Sequence, residues 1–183
     1  MNKIKQNVQK GFTLIELLVV VAIIAILALI VMLALNPVEM ARRSRDSRRM
    51  SDVGTLRKSI DLALADGETL PDTAGAWVDL DSTTSVTLFP SGAAGDPDIS
   101  KYLSVVPGDP YTSTSNPQVL SEAAGVCSGA TGVPANLQYQ FNSDGDVYVI
   151  RARLESEENC NAILEDGNVS NWYELGTDPG LDL

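Results

Sequence analysis

Hydrophobic residues are concentrated in one unbroken run near the start of the 183-residue chain, from Leu17 to Leu35. Three lysines lie among residues 1–10, and the residue directly before the run, Glu16, carries an ionisable side chain. An apolar segment of about 18 residues or more is long enough to cross a bilayer as an α-helix. The pattern therefore predicts a membrane-spanning helix close to the N-terminus.

The next stretch, Val38 to Asp66, has the spacing of an amphipathic helix. Asn36 and Pro37 precede it, and they are favoured at the N-cap and at the first position of a helix. Its apolar residues recur every three or four positions, at Met50, Val53, Leu56, Ile60 and Leu64. The first part, Ala41 to Arg49, is charged almost all round, so we expect it to be an exposed stalk. Gly67 follows as a candidate C-cap.

From Glu68 onward, short strand-like segments and turn residues predict a small β-sheet head. Trp77–Leu80 and Ser85–Phe89 are predicted strands, and Pro107–Tyr111 is a strong turn signal. Ser113–Pro134 is rich in Ser, Gly, Ala and Pro, and we expect it to be a long surface loop.

The clearest β unit is a hairpin. Leu137–Phe141 and Val147–Leu154 alternate apolar and polar residues, and Asp144 and Gly145 between them are a leading hairpin signal. An antiparallel sheet built on this hairpin would pack its apolar face on the Met50–Leu64 stripe. The predicted fold class is α+β, with a long N-terminal transmembrane and stalk helix packed on a small antiparallel β-sheet head.

The net charge of −11 is unevenly distributed, and it narrows the classes of function. From Glu68 onward, three basic residues oppose eighteen Asp and Glu residues. An acidic head disfavours phosphate backbones, so we do not expect nucleic acid as a partner. The chain contains no histidine, which removes imidazole-based catalysis and the commonest transition-metal ligand. We therefore expect no enzymatic activity.

The junction before the apolar run reads Gly11-Phe12-Thr13-Leu14-Ile15-Glu16. An ordinary signal peptide carries its cleavage site after the apolar region, whereas here the small residue Gly11 precedes it. This arrangement resembles the type IV prepilin family, which includes type IV pilins and type II secretion pseudopilins. The resemblance implies that a prepilin peptidase cuts between Gly11 and Phe12 and methylates the new amino terminus.

The same resemblance implies a pilin-like lollipop and a function in assembly. It divides the chain into a cleaved basic leader (1–11), a transmembrane and filament-core helix (12–35), an amphipathic stalk helix (36–66) and an acidic globular β head (67–183). Copies of the chain would form a homopolymer with the help of a pilus or secretion assembly platform. The precursor would lie in the cytoplasmic membrane, and the product would be an extracellular or periplasmic filament.

Three other functions stay open at this point. They are a type II secretion pseudopilin, a DNA-binding minor pilin, and a membrane-anchored ectodomain that does not polymerise. We favour a pilus subunit, because long loops and a disulfide are more typical of pilins.

Glu16 is the predicted assembly residue. A carboxylate in an apolar helix is costly, and it is usually retained because it has a partner. We expect that partner to be the amino group of Phe12 on a neighbouring copy, created by cleavage. The chain's own amino terminus, about one turn away, is a competing partner. Solvation of Glu16 in the headgroup zone is the alternative.

An arginine cluster follows the membrane segment: Arg42, Arg43, Arg45, Arg48 and Arg49. Basic clusters beside a membrane bind lipid phosphates. The same residues could pair with the acidic heads of neighbouring subunits or bind nucleic acid. A solvated charged stalk is the fourth interpretation. We predict inter-subunit or lipid contacts for this cluster.

Cys127 and Cys160 are the only cysteines, and both lie in the part predicted to be outside the cytoplasm. An even number of cysteines in an exported domain indicates a disulfide. We therefore predict a bond between them.

Asn142, Asp144 and Asp146 alternate near the tip of the predicted hairpin. Their side chains could offer oxygen ligands to calcium, which needs about 6–8 of them. The distal glutamate of an EF-hand is absent, and a plain hairpin turn is the competing interpretation. Calcium is the only cofactor that the sequence suggests.

Overall fold

The computed structural model describes residues 11–80, 99–111, 118–123, 126–130, 137–165 and 171–178. The chain divides into two compact units, residues 1–40 and residues 41–183. Helices and antiparallel strands make up the described part, so the α+β class predicted from the sequence is confirmed. The predicted borders of leader, core helix, stalk and head remain a prediction.

Helix α1 spans Leu14–Ala34 and contains neither Gly nor Pro. Thr13 is the N-cap of this helix. Its backbone is extended, and its side chain accepts a hydrogen bond from the backbone N–H of Glu16. The segment Leu14–Met32 is long and apolar enough to cross a membrane by length and composition, with a mean hydropathy of 3.3. A helix satisfies its own backbone hydrogen bonds, as a single spanning segment must.

Helix α2 spans Pro37–Ala65. Asn36 before it has a positive φ of 39°, and its Oδ1 accepts a hydrogen bond from the Glu39 N–H at 3.4 Å. The helix ends in a Schellman motif: Gly67 has a φ of 92°, and the N–H of Glu68 donates to the Ala63 carbonyl at 3.1 Å. The interruption at Asn36–Pro37 and the Gly67 cap, both predicted from the sequence, are confirmed.

The larger sheet has the strand order β1-β4-β5-β6, and all its pairs are antiparallel. Its strands are β1 (Val78–Leu80), β4 (Tyr139–Ser143), β5 (Tyr148–Ala152) and β6 (Tyr173–Gly176). The predicted hairpin is confirmed as β4–β5, and Gly145 in its turn has a φ of 99°, which glycine adopts without steric cost.

The remaining elements are short. They are a 3-10 turn (Ile99–Lys101), the strands β2 (Val119–Ala123) and β3 (Val126–Ala130), a second 3-10 turn (Glu157–Asn159) and helix α3 (Cys160–Leu164). Strands β2 and β3 pair with each other as a separate two-stranded antiparallel sheet.

The main core lies between α2 and the larger sheet, as predicted. Apolar side chains from both elements are fully buried there: Val53, Leu56, Ile60, Ala63, Leu80, Tyr139, Phe141, Tyr148, Ile150 and Ala152. A second, smaller cluster is formed by Leu120, Leu154 and Ile163. The N–H of Leu120 donates to the Leu154 carbonyl at 2.7 Å, which ties β2 to the chain that follows β5.

Two predictions about local structure need correction, and a third is not covered. Ser113–Pro134 is not one long loop, because it contains β2 and β3. Most of its residues are small, but Val119 and Leu120 are apolar and both are buried. Ala41–Arg49 is not an entirely exposed stalk, because Asp46 and Arg49 are fully buried. The predicted strand Ser85–Phe89 lies outside the described residues.

Candidate functional site

The N-terminal end of α1 is a fully exposed apolar surface with one carboxylate. The described side chains from Gly11 to Met32 are all exposed, and Phe12 is 91% exposed. Apolar surface of this extent is unfavourable in water, so this helix requires a bilayer or other protein around it.

Glu16 forms a capping box with Thr13. One oxygen of its carboxylate accepts hydrogen bonds from the Thr13 backbone N–H at 2.8 Å and from the Thr13 hydroxyl at 2.6 Å. The N–H of Glu16 donates to the Thr13 hydroxyl oxygen at 3.3 Å. These hydrogen bonds hold the Glu16 carboxylate beside Thr13, which follows Phe12 and lies about one helical turn before Glu16. The prediction that it pairs with the amino group of Phe12 on another copy is not tested by a single chain.

Two arginines of the cluster on α2 are held by carboxylates of their own chain. The guanidinium of Arg45 donates two hydrogen bonds to Glu155, at 2.9 and 2.5 Å. That of Arg49 donates two to Asp109, at 2.6 and 2.9 Å. Such two-point arginine–carboxylate pairs are strong and fix orientation.

Asp46 completes this buried ion cluster, which we define as Arg45, Asp46, Arg49, Asp109 and Glu155. Its carboxylate accepts hydrogen bonds from the backbone N–H groups of Glu155, at 3.0 Å, and Ser156, at 2.8 Å. The Arg49 guanidinium and the Asn159 side-chain amide also donate to it, at 2.9 and 3.0 Å. Every charge in the cluster has an opposite charge or several donors beside it, which is what burial of ions requires.

Two carboxyl groups of the cluster have pKa values shifted in opposite directions. Burial raises the pKa of Asp46, because desolvation outweighs the hydrogen bonds that it accepts. Burial alone would also raise the pKa of Glu155, but the Arg45 hydrogen bonds and the Arg49 charge lower it overall. Protonation of Glu155 as the pH falls therefore weakens the cluster, whereas protonation of Asp46 relieves the cost of burying its charge.

The other arginines of the sequence cluster are more exposed. Arg43 pairs with Glu158, and both side chains are about half exposed. Arg48 is 63% exposed, and its Nε lies 3.7 Å from Asp52 Oδ2. The prediction that Arg42, Arg43, Arg45, Arg48 and Arg49 contact lipid or neighbouring subunits is untested, but Arg45 and Arg49 are committed to partners within the chain.

Two buried tyrosines of the sheet reach acidic residues of α2, and the sequence did not predict these contacts. The Tyr139 hydroxyl donates to Asp52 at 2.8 Å, and the Tyr148 hydroxyl donates to Asp61 at 2.5 Å. Burial, followed by the neighbouring carboxylate, raises the pKa of each tyrosine. These bonds fix the register of α2 on the sheet, and the alternation in the strands would have placed both tyrosines on the core face.

A stack of aromatic and guanidinium groups lies on the sheet. Arg151 Cζ is 3.4 Å from the ring centroid of Trp77 and 4.2 Å from that of Trp172, and Arg153 Cζ is 4.0 Å from the Trp172 centroid. Burial lowers the pKa of Arg151 to about 10. Because Trp77 precedes β1 and Trp172 precedes β6, the stack holds both outer strands of the sheet.

The predicted disulfide is present. Cys127 in β3 and Cys160 at the start of α3 are bonded, with their Cα atoms 5.7 Å apart. The bond ties the two-stranded sheet to the chain that carries Glu155 and Asn159. It lies beside the smaller apolar cluster.

The three residues suggested for calcium have separate roles in the hairpin. Asn142 is buried, and its Oδ1 accepts a hydrogen bond from the Thr73 hydroxyl at 2.6 Å. Asp144 Oδ1 accepts from the N–H groups of Asp146 and Val147, at 3.0 and 3.1 Å. Within the described residues, no group of three or more His, Cys, Asp or Glu side chains could hold a metal ion. The calcium site stays a prediction, and this geometry is that of a hydrogen-bonded turn.

The described residues define a class of protein: they form a small α+β unit and one N-terminal helix that is long and apolar enough to cross a membrane. Residues 6–32 match the family model for the prokaryotic N-terminal methylation motif, the class III signal of type IV prepilins. The match and the apolar helix fit a membrane-anchored precursor and support a type IV pilin-like or pseudopilin protein. Proteins that carry this motif are structural, and the motif implies processing by prepilin peptidase. No curated protein and no solved structure matches the chain significantly.

Proposed function

We propose that this chain is a structural subunit of a type IV pilus-like filament. Prepilin peptidase would cut it between Gly11 and Phe12, and copies would polymerise through their N-terminal helices. The observation that carries the proposal is the methylation motif at residues 6–32 on a helix whose described side chains are exposed on every side.

The physical reason for assembly is the apolar surface of α1. About 20 apolar residues must be covered at all times, by lipid in the precursor or by other copies of α1 in a filament. Transfer from lipid to a bundle of helices keeps the surface covered, so polymerisation costs little in hydrophobic energy. Directional contacts such as the one predicted for Glu16 then select the filament arrangement.

Glu16 is prepared for that role by its position. Thr13 satisfies one carboxylate oxygen, Oε2, through two hydrogen bonds, and no residue in the described ranges donates a hydrogen bond to the other oxygen. Cleavage would create an amine at Phe12, and an amine on a staggered neighbour could pair with this carboxylate. The pair removes one uncompensated charge from each subunit in an apolar environment.

Binding of DNA through the arginine cluster is less well supported. Arg43, Arg45 and Arg49 face carboxylates of their own chain, and the chain as a whole carries a net charge of −11. A phosphate backbone would have to displace these pairs. A membrane-anchored ectodomain that does not polymerise requires no partner for Glu16, and it is distinguished by the behaviour of Glu16 variants.

The first test is mass spectrometry of the N-terminal peptide in material sheared from cells of the native host. We expect a peptide that starts at N-methylated Phe12 in a sedimenting, filamentous fraction. An intact leader found only in membranes would contradict the proposal. Release into the medium by shearing distinguishes a surface pilus from a periplasmic pseudopilus.

A further inference from the structure

Helix α2 has two faces of opposite character along its length. One face is buried, at Asp46, Arg49, Val53, Leu56, Ile60 and Ala63. Another set of residues, which we name the exposed seam, is exposed at every position: Ser44, Arg48, Ser51, Thr55, Lys58 and Leu62. Each set recurs at alternating spacings of three and four, so each stays on one face of the helix. The exposed seam runs for about 27 Å at 1.5 Å per residue.

The exposed seam carries positive charge, and half of its side chains are small. Arg48 and Lys58 are its only charged residues, and Ser44, Ser51 and Thr55 are small. Small side chains let another protein surface approach the helix closely, and Leu62, which is 51% exposed, offers one apolar contact. The seam is therefore shaped and charged for a partner that carries carboxylates.

The charge of Arg48 is not used within the chain in the way that Arg45 and Arg49 are used. Its Nε lies 3.7 Å from Asp52 Oδ2, which is beyond hydrogen-bonding distance. The same oxygen of Asp52 accepts the hydrogen bond from the Tyr139 hydroxyl. An exposed pair of this kind contributes little, so Arg48 can change partner at small cost.

Carboxylates of the matching kind lie on the surface of the same unit. Asp146 is exposed in the β4–β5 turn, and Glu157, Glu158 and Glu165 are exposed around α3. Copies of a chain with a net charge of −11 repel one another unless their few exposed cations face carboxylates. A second copy of the chain thus presents the charge that the exposed seam requires.

We infer that the exposed seam of α2 is the surface on which the acidic unit of a second copy docks in the assembled filament. The inference rests on the proposed function. It assigns the contact to Arg48 from the arginine cluster and to Lys58, which the sequence did not single out, because Arg45 and Arg49 are held inside the chain. Complementary charge at such an interface sets orientation and register.

Charge reversal in the full chain tests the inference. Arg48→Glu combined with Lys58→Glu should lower the amount of processed chain in the sheared, sedimenting fraction about tenfold or more, because like charges then face each other. The processed subunit should accumulate in the membrane. The control is the exchange Arg48→Lys with Lys58→Arg, which keeps both charges and should keep the filament yield. An intact Cys127–Cys160 bond in the membrane-held variant shows that it has folded.

Photo-crosslinking provides an independent measurement. A photoreactive amino acid at Thr55 should give, in wild-type filaments, a crosslink to a second copy within residues 137–178. The same group at Ala76, which is exposed outside α2, is the comparison site. Crosslinks from Thr55 only to lipid, to nucleic acid or to another protein would overturn the inference, as would a normal filament yield after charge reversal. Absence of filaments in the wild type would instead contradict the proposed function.

Discussion

The two long helices of this chain show that composition alone does not determine which surface is buried. Helix α1 is almost entirely apolar, and its described side chains are exposed. Helix α2 is rich in charge, and yet it buries Asp46 and Arg49 completely. The difference lies in the partners. Acids from its own chain meet α2, whereas the described side chains of α1 are exposed, and an apolar surface of this extent requires lipid or protein around it.

The comparison also separates two uses of a carboxylate near a helix. Among the residues that the structure describes, Glu16 on α1 bonds to Thr13, three residues away, and its assembly partner is proposed to be a second molecule. Glu155 meets Arg45 and Arg49 on α2 from more than a hundred residues away in the sequence. The Glu16 carboxylate can therefore accept a partner from a second molecule, whereas the Glu155 carboxylate stabilises the fold of its own chain.

Among the substitutions that test this difference between the helices, Glu16→Gln should have the largest effect. The amide keeps the size of the side chain and removes its charge, so it cannot form an ion pair with an amino terminus. We expect the yield of sheared filaments to fall about tenfold or more, with processed subunits remaining in the membrane. Glu39→Gln, in the first turn of α2, is the matched control and should leave the yield unchanged. Equal yields from Glu16→Gln and wild type would favour an ectodomain that does not polymerise.

The neighbouring residues Arg48 and Arg49 test the contrast within α2. Arg49→Met leaves Asp46, Asp109 and Glu155 buried with one guanidinium fewer, and we expect a loss of about 3–5 kcal/mol in the free energy of unfolding. Arg48→Met removes an exposed charge and should change that free energy by no more than about 0.5 kcal/mol. Urea unfolding of the full chain in detergent micelles measures both. A loss of unfolding free energy for Arg49→Met as small as that for Arg48→Met would show that the buried ion cluster does not stabilise the fold.

Acid should weaken α2 packing through Glu155, with a smaller effect than the loss of Arg49. Its pKa in the folded chain is lower than the ordinary value of 4.5, so it stabilises the fold above that pH and loses this contribution as the pH falls. Asp46 acts in the opposite sense, because its raised pKa costs stability as the pH rises through it.

Glu155→Gln should therefore be less stable than wild type at neutral pH. Its urea midpoint should also fall less than that of wild type between about pH 5 and pH 3. Parallel decreases in the two proteins would place the acid response elsewhere.

The parts of the fold that depend on nearby residues were predictable from the sequence. The apolar run, the Asn36–Pro37 interruption, the Gly67 cap and the β4–β5 hairpin follow from local chemistry, and the structure contains all of them. The disulfide followed from there being only two cysteines in a domain expected to be exported. The pairing of Glu16 remains a prediction, because it concerns a second molecule.

The parts that depend on distant residues were missed. Ala41–Arg49 gave the pattern of an exposed helix, because the sequence alone does not show that Asp109 and Glu155 fold against it. The one local signal was the spacing of Asp46 and Arg49, which lie on the same face of a helix and pair there. Strands β2 and β3 were missed for a similar reason, since their apolar residues are few and their support comes from Leu154 and the disulfide.

The buried ion cluster also has a consequence for the order of events during synthesis. A ribosome makes Arg45 and Arg49 long before their partners, because Asp109 follows Arg49 by 60 residues and Glu155 follows Arg45 by 110. At typical elongation rates the interval between Arg45 and Glu155 lasts roughly 5–20 s. During that time α2 can form as a helix and can pair Arg49 with Asp46, but the carboxylates of Asp109 and Glu155 are still missing. The nascent chain therefore presents a basic segment that is fully neutralised only once Glu155 has been made.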